Sequence, residues 1–130
     1  MIVINQSQME TFKRAMEQRF PRELAEYLTD KHPEELRELS RSALDSRVDY
    51  AIECARKLGF RDANAIAGFA ALMFVIGPAF FQQPSIELIL RDVGLLPTER
   101  LAQLPAEISP GAWLEARRIS EQRWPDEQGS

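Results

Sequence analysis

Residues 65–81 read AIAGFAALMFVIGPAFF, and they sit inside a longer run, 63–86, that carries no charged side chain. Charged residues make up 28% of the whole chain, so their exclusion is local and the segment must be buried against something. Asp62 stands just ahead as an N-cap, Gly77 sits where a C-terminal cap belongs, and Pro78 is a stop, which together predict a helix over about 62–76. A helix apolar on nearly all sides belongs in the middle of its fold. Small residues at Ala65, Ala67, Gly68, Ala70 and Ala71 leave room for close neighbours. A membrane span needs about 20 consecutive apolar residues. This run is broken at Gly77-Pro78 after one helix length and followed by Gln82-Gln83-Pro84, so we read a buried central helix and no membrane partner.

Working outward, Met9, Phe12, Met16, Phe20, Leu24 and Tyr27 recur at spacings of three and four, an amphipathic stripe. Pro21 falls inside it without changing its phase, which implies either a kink or two abutting helices with Pro21 in the first turn of the second. His32-Pro33 ends that segment. Pro33-Glu34-Glu35 opens a short helix with Leu36 and Leu39 on its apolar side. From about residue 44 to 58, Val48, Ala51, Ile52, Ala55 and Leu58 form a third stripe, with Gly59 as its cap and Phe60 packing back on it.

On the other side of the central helix a loop, 79–84, leads to Ser85, read as the cap of a helix carrying Ile86, Ile89 and Leu90 and closed by Gly94. Thr98 and Glu99 begin a short helix through Leu101 and Leu104. Ser109-Pro110 begins the last, with Trp113, Leu114, Ile119 and Trp124 on or near its inner side. The expected fold is therefore all-α: an irregular bundle of about six or seven helices around the central apolar one, forming a single domain over 1–124 with a frayed polar tail at 125–130.

At 130 residues the chain can bury a core without disulfides or metal. Its net charge of -4 lacks the clustered Lys and Arg that phosphate binding needs, so nucleic acid is not an expected partner. One cysteine, Cys54, cannot form an internal disulfide, and the N-terminus shows no basic leader followed by a long apolar core, so the expected location is cytoplasmic, with the mature protein beginning at Met1.

The chemistry on offer is sparse. A single His and a single Cys give no metal-ligand set. His32 and Glu35 stand at His-x-x-Glu spacing, but Pro33 lies between them, and His32 suits a turn or cap better than a general base. The pairs Glu23/Glu26, Glu35/Glu38 and Asp45/Asp49 read as solvated helix faces, because basic residues are interspersed. Cys54 reads as a packed thiol beside Ile52 and Ala55. No Gly-rich phosphate loop is present. The expectation is no catalytic residues, no cofactor and no metal. Phe80, Phe81, Trp113 and Trp124, near breaks or chain ends, are the candidate partner-binding anchors.

The stretch 50–92 (YAIECARKLGFRDANAIAGFAALMFVIGPAFFQQPSIELILRD) has a specific order. A helix ends Ala55-Arg56-Lys57-Leu58-Gly59-Phe60. After a polar step, the next closes Leu72-Met73-Phe74-Val75-Ile76-Gly77-Pro78. Phe80 or Phe81 and Pro84 follow, then a helix ending Ile89-Leu90-Arg91-Asp92. With the opening MIVINQSQMETF, this resembles small bacterial accessory proteins of type VI secretion loci, encoded beside PAAR spike-tip proteins, effector adaptors and toxins. The resemblance implies a non-enzymatic co-chaperone or co-adaptor that binds an effector or its adaptor and helps load the toxin onto the PAAR/VgrG spike. The alternative is an immunity protein that inhibits a cognate toxin domain, using an acidic face against a basic site. An enzyme or small-molecule binder is the third class, and no residue set supports it. Self-association stays open.

Overall fold

The computed structural model describes residues 6–120 and 124, with side chains from residue 19 onward. Within them lie seven helices and no strand: α1 (Gln6–Lys31), α2 (Pro33–Leu36), α3 (Arg41–Lys57), α4 (Ala63–Val75), α5 (Pro84–Leu90), α6 (Pro97–Glu107) and α7 (Pro110–Ile119), with a 3-10 turn, Phe80–Gln82, between α4 and α5. The all-α bundle expected from the caps and stops is the architecture found. The side chains of Met9, Phe12 and Met16, and the tail 125–130, lie outside the described residues.

The uncharged run forms α4. Asp62 caps it, its carboxylate accepting from the Ala65 N–H at 3.2 Å, and Ile76 closes it. Its 13 residues span about 20 Å at 1.5 Å per residue, short of the roughly 30 Å of a bilayer's hydrocarbon core. Among the described residues no helix is long and apolar enough to cross a membrane. Instead α4 packs against α1, α2, α3 and α6. Its Ile66, Phe69, Ala70 and Met73 are buried. The Phe69 ring has three phenylalanine neighbours: Phe60 at 5.6 Å, Phe80 at 5.3 Å and Phe81 at 5.5 Å. This cluster joins the loops on both sides of α4 to its middle.

The α3–α4 connection is a Schellman turn. Gly59 has φ +91, the Gly59 N–H donates to Arg56 O and the Phe60 N–H to Ala55 O, and Phe60 folds back fully buried. At the other end of α3, the Ser40 hydroxyl accepts from the Ala43 N–H, so the helix begins a turn before the hydrophobic pattern does.

Several expectations need correction. α1 runs through Pro21 as one helix, not two abutting ones. Its described inner residues are Leu24, Ala25 and Leu28, while Tyr27, at the rim of that stripe, is exposed. Ser85 does not cap α5. The cap is Gln83, whose Oε1 accepts from the Ile86 N–H at 3.0 Å with Pro84 in the first turn. α5 ends at Leu90 with Arg91 as its C-cap, and Gly94 instead lies in a turn in which its N–H bonds to Asp92 Oδ1. α6 starts at Pro97 and runs to Glu107, farther than the Thr98–Leu104 segment expected. On α7 the inward residues are Ala112 and Ala116, and Leu114 points to solvent. Small residues let α7 approach closely, which turns its bulkier side chains outward or sideways.

The end of α7 meets the turn after α4. Gly77 has φ +149, and a Cβ there would collide with the Cβ of Ser120, the C-cap of α7. The same serine's Oγ accepts from the Ala79 N–H at 3.0 Å.

Candidate protein-binding surface

Of the four aromatic anchors suggested by sequence, the fold brings Phe80 and Phe81 together around Phe69 and sends the two tryptophans elsewhere. Phe80 is fully buried, and Phe81 is half-buried with its ring 5.8 Å from that of Phe80. In this fold both are core side chains. Trp124 is also buried, beyond the last helix, lying 4.9 Å from Phe74 of α4 and 6.2 Å from Tyr50 of α3. The Arg47 guanidinium stands 5.2 Å from its ring centre. Trp124 thus fastens the chain after α7 back across α3 and α4. Trp113 faces a surface groove.

That groove is lined by Ile76, just past α4, and by Pro110, Trp113, Leu114 and Arg117 of α7. Its volume is about 450 Å³. The four α7 residues fall at i, i+3, i+4 and i+7, one stripe along the outer side of the helix. Leu114 is 66% exposed, so the stripe adds apolar area to the surface. A second apolar group surrounds the α5–α6 connection, where Leu88, Val93 and Leu96 are 77%, 90% and 64% exposed. In the sequence the first shows only through Trp113 and the second not at all, because Leu114 reads as inward-facing and only the placement of α5 and α7 reveals the outward turn of Leu88 and Leu114.

Other surface features are ionic. A groove between α1 and α3, about 400 Å³, is lined by Pro21, Ile52, the acidic Asp49 and Glu53 and the basic Arg56, Lys57 and Arg61. Lys57 pairs with Glu53 at 3.3 Å. The carboxylates considered as paired sites are exposed, on helix faces except for Glu38 in the turn after α2. Glu23 binds Arg19 at 2.9 Å and Asp45 binds Arg41 at 3.1 Å, i,i+4 pairs of the kind that line solvated helices. Among the described residues, no group of three or more His, Cys, Asp and Glu side chains could hold a metal ion. His32 precedes α2 and makes no capping bond with its side chain.

Among the described residues one charged side chain is buried. Arg100 of α6 donates from Nη1 to Leu90 O at 3.2 Å and from Nε to Leu95 O at 2.9 Å, and its guanidinium lies 5.9 Å from the Phe60 ring centre. It takes up the carbonyl at the end of α5 and another in the connection just before α6, and so fixes the α5–α6 turn. Cys54 is buried too, which pushes its thiol pKa up, while Tyr50, bonded to it one helical turn earlier, and Lys57 pull it down. Burial and the bond to Cys54 push the Tyr50 phenol up to about 12. A thiol held protonated in this way is inert at neutral pH. The chain matches no known protein-family model, no curated protein and no solved structure.

Proposed function

We propose that this chain is a non-enzymatic accessory protein of type VI secretion that binds an effector, its adaptor, or both, and helps load the toxin onto the spike. The observation that carries a binding role is the apolar surface left by α5 and α7: Leu88, Val93, Leu96 and Leu114 stay largely exposed although the core beneath them is closed by fully buried Phe60, Phe69 and Phe80. Exposed apolar patches, here one on α7 and another around the α5–α6 connection, are a usual mark of protein interaction sites. The assignment to secretion is supported by the sequence resemblance over 50–92, which comprises the C-terminal half of α3, all of α4, the 3-10 turn and α5.

Co-purification with the products of neighbouring genes tests this role. A loader co-purifies with an effector or adaptor and is required for export of the toxin. An immunity protein would instead bind the isolated toxic domain and abolish its activity, and failure to bind any neighbour would remove both roles.

A further inference from the structure

We infer that the groove between Ile76 and α7 docks an acidic amphipathic helix of the protein partner, with Arg117 pairing a carboxylate of that helix. The inference deepens the binding role proposed above and rests on it for the identity of the partner.

Three observations converge on this groove. Its walls are apolar: Ile76, Pro110, Trp113 and Leu114. Trp113 is half-buried, and large aromatic side chains seated in such walls are the groups that most often anchor protein interfaces. The apolar Pro110, Trp113 and Leu114 at i, i+3 and i+4, with Arg117 following at i+7, form a strip along α7 of the kind a second helix packs against, apolar face to apolar face.

The charge of the groove selects its occupant. Among the described residues, Arg117 is the only ionic side chain lining it. An apolar helix with a carboxylate near its apolar edge satisfies Arg117, whereas a basic helix is repelled. A rim charge of this kind acts mainly on partner choice and association rate.

The groove is also built in advance. Ile76 is held by the turn in which Gly77 seats against Ser120 and the Ala79 N–H bonds to Ser120 Oγ, so its two walls are fixed relative to each other before anything binds. A surface that need not reorganise loses less affinity to ordering.

The test uses the full chain and two helical peptides of equal length, each with leucines one turn apart, flanked in one by glutamates and in the other by lysines. The chain's two tryptophans give separate indole N–H signals, Trp113 in the groove and Trp124 in the core. The glutamate peptide is expected to shift the Trp113 indole and the amides of 110–117, leaving Trp124 unmoved. Leu114→Glu should abolish the shift, and Arg117→Glu should reverse the preference so that the lysine peptide binds more tightly. In each variant an unmoved Trp124 signal confirms the fold. Absence of any shift at Trp113, an unchanged preference in Arg117→Glu, or shifts confined to Leu88, Val93 and Leu96 would each overturn the inference. Co-purification separates it from the broader role. If a neighbour-encoded protein binds wild type and both variants equally, the groove is wrong and the accessory role stands. If no neighbour binds, the accessory role falls, and the peptides alone decide the groove.

Discussion

Ser120 Oγ accepts a hydrogen bond from the Ala79 N–H at 3.0 Å, across 41 positions of the chain. Through it the last helix is fastened to the turn that follows the central one, two residues beyond the Gly77 that Ser120 also covers. One serine at a helix C-cap therefore positions α7, the Phe80 turn and the Ile76 wall of the groove together. The bond is buried, so removing the hydroxyl leaves a backbone N–H without a partner, a loss of about 1–3 kcal/mol. Ser120→Ala should lower the urea midpoint by a corresponding amount. An unchanged midpoint would mean that the junction does not depend on this bond.

Gly77→Ala should be more damaging than Ser120→Ala. At φ +149 an L-residue is strained, and its Cβ would run into Ser120 Cβ. The backbone conformation alone costs about 1–3 kcal/mol, and the collision adds to it. A double-mutant cycle separates the two. In Ser120→Gly the colliding side chain is gone, so Gly77→Ala should cost less in that background than in wild type. Equal costs in the two backgrounds would place the whole effect in the backbone and refute the steric contact.

Gln83, rather than Ser85, should carry the start of α5. Gln83 is 5% exposed and its Oε1 accepts from the Ile86 N–H, whereas Ser85 is exposed one position inside the helix. Gln83→Ala is expected to cost about 1–2 kcal/mol, the range for losing an N-cap. Ser85→Ala should be near neutral, as exposed positions usually are. Chemical denaturation of the two variants side by side decides it, and the reverse ranking would restore Ser85 as the cap.

Arg100 should resist conservative replacement. Its planar fork reaches two carbonyls, Leu90 O and Leu95 O, while its flat face lies by Phe60. A lysine ammonium cannot reproduce that geometry. Hydrogen bonds from a charged donor contribute about 1.5–3 kcal/mol each, so Arg100→Ala should lower stability by about 2 kcal/mol or more and Arg100→Lys by at least half as much. Hydrogen exchange should speed up most at the end of α5 and in the turn 91–96. Full stability of Arg100→Lys would show that charge alone is sufficient there.

These residues also show where sequence reading stops. The central helix, the Asp62 and Ser109 caps and the Gly59–Phe60 turn were legible because each is a local pattern with a local cause: a charge-free run, a short polar side chain before a helix, a glycine after one. Gln83 was not, because glutamine is a rare cap and its role here depends on being buried. Arg100 reads as surface until the end of α5 is placed beside it. Trp124, in a polar stretch after the last helix, reads as a chain-end anchor, and only the return of the chain across Tyr50 and Phe74 makes it core. The groove was half legible. Trp113 stands out near a helix start, but Leu114 reads as inward because bulk normally faces the core, and here Ala112 and Ala116 take that side.

The Tyr50–Cys54 pair leads to a pH dependence. Both groups sit on α3, both have pKa values raised chiefly by burial, and Tyr50 is pushed up to about 12. Raised values mean that the folded state holds the protonated forms more tightly than the unfolded chain, whose thiol and phenol titrate at about 8.5 and about 10. Their contribution to stability is therefore whole below pH of about 8.5 and is lost progressively as the pH rises toward the folded values. The urea midpoint should stay level with respect to these two groups through neutral pH and fall in the alkaline range. Cys54→Ala should flatten the earlier part of that fall and Tyr50→Phe the part between pH 10 and about 12. Modification of Cys54 by a thiol reagent at pH 8 should be slow in the native protein and fast in denaturant, because the buried thiol is protonated as well as shielded. An alkaline fall that is identical in wild type and Tyr50→Phe would remove the phenol from this account, and rapid native labelling would contradict the burial of Cys54.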